Sequence, residues 1–270
     1  MKVLISADME GITGVVSGDQ VSRKGQDYER SRKRMTAEVN ASIRGALSAG
    51  ATEIIVNDSH ASMRNIILDE LHPEAQLIMG NVKPLSMMQG IDGSFDAVFF
   101  IGYHAKMGTT SAILDHTYSG SQVVSYKING IELGETGQNA LIAGVYDVPV
   151  VLVTGDRKVT EEAKEILGNI NTVAVKEGIS RYTAKTLHPE KAHSLIEKSA
   201  KSALERLDEM NPYSVGDGPY TLELELFRSN MADQAVLIPG VERIGARTVK
   251  YTHQDYLTLY KCFRAIINMS

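Results

Sequence analysis

The first apolar run of the chain ends in two carboxylates. The run "KVLIS" (2–6) leads into "ADMEG", in which a single methionine separates Asp8 from Glu10. Side chains at positions i and i+2 of a strand point to the same side, so the two acids are expected to face one point. Neighbouring carboxylates repel each other unless a positive group lies between them. The spacing therefore indicates that another part of the chain, or a bound cation, supplies positive charge there.

Histidines and a third acid follow other apolar runs. The segment "VNDSH" ends in His60, "FFIGYH" ends in His104, and Glu135 stands where the return strand of a hairpin gives way to a helical pattern. In open parallel sheets, ligands bind outside the carboxyl ends of the strands. We therefore expect five metal-capable side chains at one edge of the sheet: Asp8, Glu10, His60, His104 and Glu135.

This set of side chains predicts a catalytic metal site. Two imidazoles with three carboxylates suit zinc, with manganese or iron as alternatives by ligand type. A structural zinc site more often uses cysteine and has no open position. Five donors exceed the need of one tetrahedral ion, whereas a pair of ions about 3.5–4 Å apart would use all of them, with Asp8 as the candidate bridge.

The pattern leaves alternatives at the same edge. Asp58 and Asp156 also end strands and could replace a member of the set, and Glu132 is barely separated from Glu135 by pattern alone. Four further histidines lie in helical or turn contexts, and we interpret them as structural or surface residues. They are His72, His188, His193 and His253.

One more histidine stands in a polar loop. The segment "AILDHTYSG" places His116 beside Asp115, shortly after His104. A histidine in this context is available as a general acid, a general base or a nucleophile rather than as a ligand. The alternative is an ordinary histidine in a surface loop.

The elements that position these residues are typical of an α/β fold. Continuous apolar runs, rather than alternating ones, indicate strands covered on both faces, as in parallel sheets. Such runs cover 2–8, 53–58, 75–80, 96–104 and 148–156. Helical spacing separates the first two runs, and Asn129-Gly130 predicts a tight hairpin turn.

The second part of the chain predicts further helices and two strands, 220–227 and 246–253. We therefore expect a mostly parallel sheet flanked by helices and a second, smaller α/β domain. The tentative division gives residues 1–156 as the metal-binding catalytic domain and 157–270 as the second domain.

Composition gives no indication of a nucleic-acid or membrane partner. The 270 residues carry a formal net charge of −5, which is poorly suited to gripping nucleic acid or an anionic membrane. No apolar segment approaches the ~18 residues that span a bilayer. Cys262 is the only cysteine, so no intrachain disulfide can form. Because the N-terminus also shows no secretory signal pattern, we expect a cytoplasmic protein.

Five motifs resemble one enzyme family. "DMEG", "VNDSH", "GYHA", the "DH" at 115–116 and "GETGQNALIAGVYDVPV" occur in the order and spacing of the zinc D-aminopeptidases of the dipeptide-transport-protein type. The similarity extends over most of the chain and is densest in 1–156. One departure lies in the catalytic loop, where "LDHTY" has Asp115 before the histidine.

The resemblance implies a dinuclear zinc aminopeptidase. By position, its metal ligands correspond to Asp8, Glu10, His60, His104 and Glu135, which favours Glu135 over Glu132, and its catalytic histidine corresponds to His116. It also implies a self-compartmentalising homodecamer whose active sites face an internal channel, to which the second domain would contribute. The expected substrates are short peptides or amino-acid amides with an N-terminal D-residue, and this stereochemical preference comes from the resemblance alone.

Rival interpretations predict other properties. A two-metal phosphoesterase needs basic residues near the ligands, and Lys106 is the nearest in sequence. A non-catalytic cytoplasmic peptide-binding protein would keep its peptide affinity without metal. A serine hydrolase built on Ser59 is disfavoured because "NDSHA" lacks the glycine-flanked nucleophile turn.

Overall fold

The structure, a computed structural model, describes residues 1–269. Its strands, in chain order, are β1 (Lys2–Ala7), β2 (Glu53–Asp58), β3 (Ala75–Ile78), β4 (Ala97–Tyr103), β5 (Val123–Ile128), β6 (Ile131–Glu132), β7 (Val150–Asp156), β8 (Asn171–Ser180), β9 (Thr183–Thr186), β10 (Tyr220–Leu226), β11 (Glu242–Arg243) and β12 (Thr248–His253). Its α-helices are α1 (Gly18–Val21), α2 (Tyr28–Ser48), α3 (Glu135–Val145), α4 (Arg157–Leu167), α5 (Pro189–Glu205), α6 (Ser229–Ala235) and α7 (Tyr256–Met269).

Two sheets organise the chain. The larger sheet has the order β3-β2-β1-β4-β7-β8-β9, in which neighbouring strands are parallel except for the antiparallel pair β8–β9. The smaller sheet, β11-β12-β10-β5-β6, is antiparallel. The predicted α/β fold, with a mostly parallel sheet and a second, smaller unit, is confirmed.

The central strands of the larger sheet are buried on both faces, which explains their continuous apolar runs. Val3, Ile5 and Ala7 of β1 pack in one core with α2 and α5. Leu4 faces the opposite core, which also includes the apolar side chains of α3, α7 and the smaller sheet. The period of two along a strand assigns each residue of β1 to one of these cores.

Residue 156 does not separate the two sheets. Strands β8 and β9, which the sequence analysis did not predict, follow residue 156 and extend the larger sheet, whereas β5 and β6 precede it and belong to the smaller sheet. The predicted hairpin turn is present, with positive φ at both Asn129 (51°) and Gly130 (80°) between paired β5 and β6. None of the described helices is long and apolar enough to cross a bilayer.

Two glycines bring the end of β1 against the end of β4. The amide of Gly11 donates to the carbonyl of Gly102, at 2.7 Å, and Gly102 itself has φ +73°. A Cβ added at Gly11 would lie 2.0 Å from the carbonyl oxygen of Tyr103. The loop that carries Asp8 and Glu10 can therefore lie next to β4 only because residue 11 has no side chain.

We predict that Gly11→Ala destabilises the fold. The added methyl group overlaps the backbone of β4, so the free energy of unfolding should fall by about 1–3 kcal/mol. Urea denaturation followed by circular dichroism measures the change. Gly18→Ala is the matched control, because a Cβ there meets no atom within 4 Å, and it should leave stability within about 0.5 kcal/mol. Equal stability of both variants would contradict the prediction.

Candidate metal centre

The five predicted ligand residues come together at one edge of the larger sheet. Asp8 and Glu10 follow β1, His60 follows β2, His104 follows β4, and Glu135 is the first residue of α3. Each of the five residues is at most 6% exposed. The parallel strands place their carboxyl ends side by side, so residues far apart in sequence meet there.

Asp8 lies between two imidazoles. Its Oδ1 is 3.2 Å from His60 Nδ1, and its Oδ2 is 3.4 Å from His104 Nε2. Each imidazole also approaches a second acid: Glu10 Oε2 is 3.0 Å from His60 Nδ1, and Glu135 Oε1 is 3.2 Å from His104 Nε2. One carboxylate thus contributes an oxygen to each half of the cluster.

Potential ligand atoms in the cluster are close together and partly unpaired. Atoms from Asp8, Glu10 and His104 lie within 4.8 Å of one another, as do atoms from His104, His116 and Glu135. Glu10 Oε2 and His104 Nε2 are buried and make no hydrogen bond within residues 1–269. Buried polar atoms are normally paired, so these two, aimed at a shared space, fit a metal ion.

The other nitrogen of each imidazole is held by the backbone. His60 Nε2–H donates to the carbonyl of Val21 at 2.8 Å, and His104 Nδ1–H donates to the carbonyl of Ala105 at 3.1 Å. These bonds leave His60 Nδ1 and His104 Nε2 as the nitrogens that face the carboxylates, where each can carry a proton or ligate a cation. Ligating histidines in metalloproteins are oriented in the same way.

The buried acids create a strong demand for positive charge. Burial, together with the neighbouring Glu10, raises the pKa of Asp8 from 3.8 to about 7. Burial acts to lower the pKa of His60 and of His104, yet the nearby carboxylates raise both well above the ordinary value of 6.5. Protonation of the two histidines therefore compensates the negative charge of the acids. A bound divalent cation would provide this compensation instead.

His116 lies beside the cluster and lines the adjoining cavity. Its ring stacks on His104, with centroids 3.9 Å apart, and its Nε2 is 3.6 Å from Glu135 Oε1. Nδ1–H donates to the carbonyl of Leu114 at 2.8 Å, which leaves Nε2 free of a proton. Burial, and then the charge of His104, lower the pKa of His116, so its neutral form is favoured.

Asp115 holds the loop that carries His116. Its carboxylate accepts a hydrogen bond from the amide of Gly108 at 2.7 Å and pairs with Arg181. Arg181 also donates to the carbonyl of Asp115. In the segment "LDHTY", which departs from the family pattern, Asp115 thus anchors the loop to the turn between β8 and β9. It is not a proton partner of His116.

The acidic residues that the sequence offered as alternative metal ligands have other structural roles. Asp58 accepts hydrogen bonds from the amides of Asn65 and Ile66 and organises the turn after β2. Asp156 caps α4 through the amide of Val159 at 2.9 Å. Glu132 is exposed in β6, in contrast to buried Glu135.

Ser59, the serine-hydrolase candidate, belongs to a buried hydroxyl network. Its Oγ contacts Ser6 Oγ at 2.9 Å and donates to the carbonyls of Asn57 and Met87. No imidazole of the described chain is hydrogen-bonded to it, so the serine-hydrolase interpretation has no base. The same network continues from Ser6 to Tyr103 and Asn139, at 2.8 and 2.9 Å, and so connects β1, β4 and α3.

A family model described as D-aminopeptidase matches residues 1–265. The D-aminopeptidase of Bacillus subtilis (strain 168) is 40% identical over 271 aligned residues, which cover 100% of this chain and 98% of that protein. A solved structure described as the Zn-dependent D-aminopeptidase DppA from Bacillus subtilis, a self-compartmentalizing protease, superposes with a TM-score of 0.96. It is 39% identical, over 100% of this chain and 97% of that one.

The chain belongs to the D-aminopeptidase family. The family resemblance inferred from the motifs is thereby confirmed, and so is the prediction of an enzyme of the metallo-aminopeptidase class. A phosphoesterase finds no support in these comparisons. Lys106, the basic residue that would have favoured one, does not line the cavity beside the cluster, and its amide donates to Glu162 at 2.9 Å.

Sequence patterns did not predict several residues that support or line the site. Lys176 of β8 is buried, and its Nζ donates to the carbonyls of Glu10, Ile12 and Val15. A lysine within the apolar run "TVAVK" is the signal that was available. A cavity of about 290 Å³ opens beside the cluster, and its wall includes Arg264 of α7, for which no local pattern gave a signal.

We predict that Lys176→Met destabilises the loop after β1. Three buried carbonyls would lose their donor, so the free energy of unfolding should fall by about 3 kcal/mol. Thermal and urea unfolding measure this change. Lys185→Met is the control, since Lys185 is exposed on β9 and its loss should change stability by no more than about 0.5 kcal/mol. A Lys176 variant as stable as the control would show that water replaces the ammonium group without cost.

Proposed function

We propose that the chain is a zinc-dependent aminopeptidase that removes the N-terminal residue, of D configuration, from short peptides or amino-acid amides. The observation that carries the proposal is the position of Asp8, whose two carboxylate oxygens face different imidazoles. That arrangement suits two cations that share one carboxylate. Zinc and the D-residue are supported by the relatives, one of which is described as a Zn-dependent D-aminopeptidase.

The residues present would hold two ions. Glu10 and His60 would bind one ion, His104 and Glu135 the other, and Asp8 would bridge them. Zinc bound there would supply Lewis acidity and lower the pKa of a coordinated water. The chain contributes the fixed imidazole tautomers and the buried, water-poor surroundings of the acids.

His116 is proposed as the proton carrier. Its Nδ1–H is committed to the carbonyl of Leu114, so Nε2 is the atom that accepts a proton from the attacking water and returns it to the departing amine. The lowered pKa keeps Nε2 unprotonated at neutral pH, as a base requires. The stack on His104 holds the ring beside the proposed ligands.

His116 has a rival role as a further ligand, because its Nε2 lies in one group with atoms of His104 and Glu135. A carrier and a ligand differ in one measurable property: removal of a carrier leaves the metal in place. The distinction therefore rests on metal content and not on activity alone.

We further propose that the chain acts as a cytoplasmic homo-oligomer, a decamer by family resemblance, in which residues 157–270 contribute to assembly and to a substrate channel. The support is the description of the B. subtilis relative as self-compartmentalizing. Exposed apolar side chains, including Val82 (82%) and Leu237 (73%), are available for contacts between subunits. Size-exclusion chromatography with light scattering measures the assembly.

Metal removal is expected to abolish activity. Exhaustive dialysis against a chelator should reduce hydrolysis of D-alaninamide at least about 100-fold, because the buried acids alone provide no electrophile, and added zinc should restore it. L-alaninamide serves as the stereochemical control and should be cleaved more slowly. Hydrolysis that persists without metal would refute the metal mechanism, and equal rates for both amides would refute the D preference.

Single histidine variants should separate the two proposed roles. His60→Ala and His104→Ala should lose bound zinc, because each removes an imidazole that contacts Asp8. His116→Ala should keep wild-type zinc content and lose about 100-fold or more in kcat. Inductively coupled plasma mass spectrometry and steady-state kinetics provide the readouts.

His188→Ala is the matched control for these variants, since His188 is exposed ahead of α5 and its side chain makes no capping bond. It should retain both zinc and activity. Loss of zinc in His116→Ala would assign His116 to the ligand set and leave the proton transfer to another group.

A further inference from the structure

One arginine lies in the wall of the cavity that adjoins the acidic cluster. Arg264 is on α7, the last helix, and the cavity extends from Asp8 and Glu135 to this side chain. Among the described residues that line the cavity, Arg264 is the only lysine or arginine. A cavity whose inner end is built from carboxylates thus has a fixed positive charge elsewhere in its wall.

This arginine has no acid to neutralise it. Within residues 1–269, no carboxylate forms an ion pair with Arg264, and its Nε and Nη1 are buried without a hydrogen-bond partner. Its Cζ lies 4.9 Å from the ring centroid of Tyr118, and its side chain also interacts with the hydroxyl of Tyr260. A guanidinium that no carboxylate of the described chain neutralises, next to a cavity, is available to an anionic ligand.

Tyr118 fixes the position of Arg264 relative to the proposed catalytic groups. Its amide donates to Glu135 Oε1 at 2.6 Å, and its hydroxyl bonds to Ser86 Oγ at 2.6 Å. The ring is therefore held at both ends, with Glu135 at the backbone side and Arg264 against the face of the ring. Asn268, one helical turn after Arg264, lines the same cavity.

We propose that Arg264 binds the C-terminal carboxylate of the substrate and so selects short peptides with a free carboxyl end. The inference rests on the aminopeptidase function proposed above, which places the substrate's N-terminal residue at the acidic cluster. A guanidinium and a carboxylate form charge-assisted hydrogen bonds that give both affinity and orientation. Asn268 adds an amide donor to the same end of the cavity.

The size of the cavity limits the ligand to a short peptide. Its volume of about 290 Å³ is at the small end of ligand pockets, which range over about 300–1,000 Å³. Each extended residue adds about 3.3–3.6 Å, so two or three residues suit a cavity of this volume. Longer peptides would carry the carboxylate past Arg264.

The test compares a peptide acid with its amide. D-alanylglycine and D-alanylglycinamide share the scissile bond and differ in the C-terminal charge. For the zinc-loaded wild-type protein, kcat/KM should be about 10–100-fold higher for the acid, mainly through KM, as expected for a charged hydrogen bond. Arg264→Met should lower the ratio of acid to amide at least about 10-fold, and Arg264→Lys should retain part of it.

Two controls keep the result decisive. Arg206→Met removes an exposed arginine that pairs with Glu209 outside the cavity, and it should leave the ratio at the wild-type value. Circular dichroism monitors folding, and if Arg264→Met fails to fold, the ratio measured for Arg264→Lys decides. A wild-type ratio near one, or a ratio that Arg264→Met does not change, overturns the proposal.

Failure of the aminopeptidase function would be recognised separately, since the wild-type protein would then hydrolyse neither substrate. In that case, calorimetric titration with D-alanylglycine and D-alanylglycinamide would test whether Arg264 binds the carboxylate. Tighter binding of the acid, lost in Arg264→Met, would support the carboxylate site without hydrolysis. Equal binding of acid and amide would overturn it.

Discussion

The repulsion between Asp8, Glu10 and Glu135 is the constraint on which the rest of the site depends. Three carboxylates that are each no more than 6% exposed cannot all remain charged without compensation. The repulsion between the carboxylates is reflected in the raised pKa of Asp8 and in the raised pKa values of His60 and His104. The cations of the proposed metal site would remove the conflict, and the same cations would activate the water that the proposed hydrolysis requires.

A cluster of buried acids needs rigid surroundings that hold its members in place. Buried polar contacts within the chain provide this rigidity. Lys176 fixes the carbonyls that follow Glu10, and the Ser6–Tyr103–Asn139 network ties β1, β4 and α3 together. Gly11 allows β1 and β4 to approach closely. These residues do not line the cavity beside the cluster, yet they fix the separation of the acids, and small errors in that separation would change metal affinity.

Local sequence patterns predicted the elements whose structure depends mainly on neighbouring residues, above all the buried parallel strands. Continuous apolar runs identify buried parallel strands, and their carboxyl ends share one edge, so Asp8, His60 and His104 could be placed together before any coordinates. Strand β9, "TAKT", is mostly exposed and has no apolar run, and it was missed with its partner β8. The sheet to which β5 belongs was also not predicted, because its pairing with β10 joins residues about 100 positions apart in sequence.

Arg264 shows the same limit at the site itself. Its helix has an ordinary amphipathic pattern, and only the packing of α7 beside α3 and the smaller sheet brings that arginine to the cavity. Two parts of the fold therefore contribute opposite charges to the cavity. The strand ends of the larger sheet bring the acids and imidazoles together, and the last helix contributes the positive charge of Arg264. A peptide that carries an ammonium group at one end and a carboxylate at the other matches both charges only in one direction. On the function proposed here, the charge pattern of the cavity would orient the substrate as well as bind it.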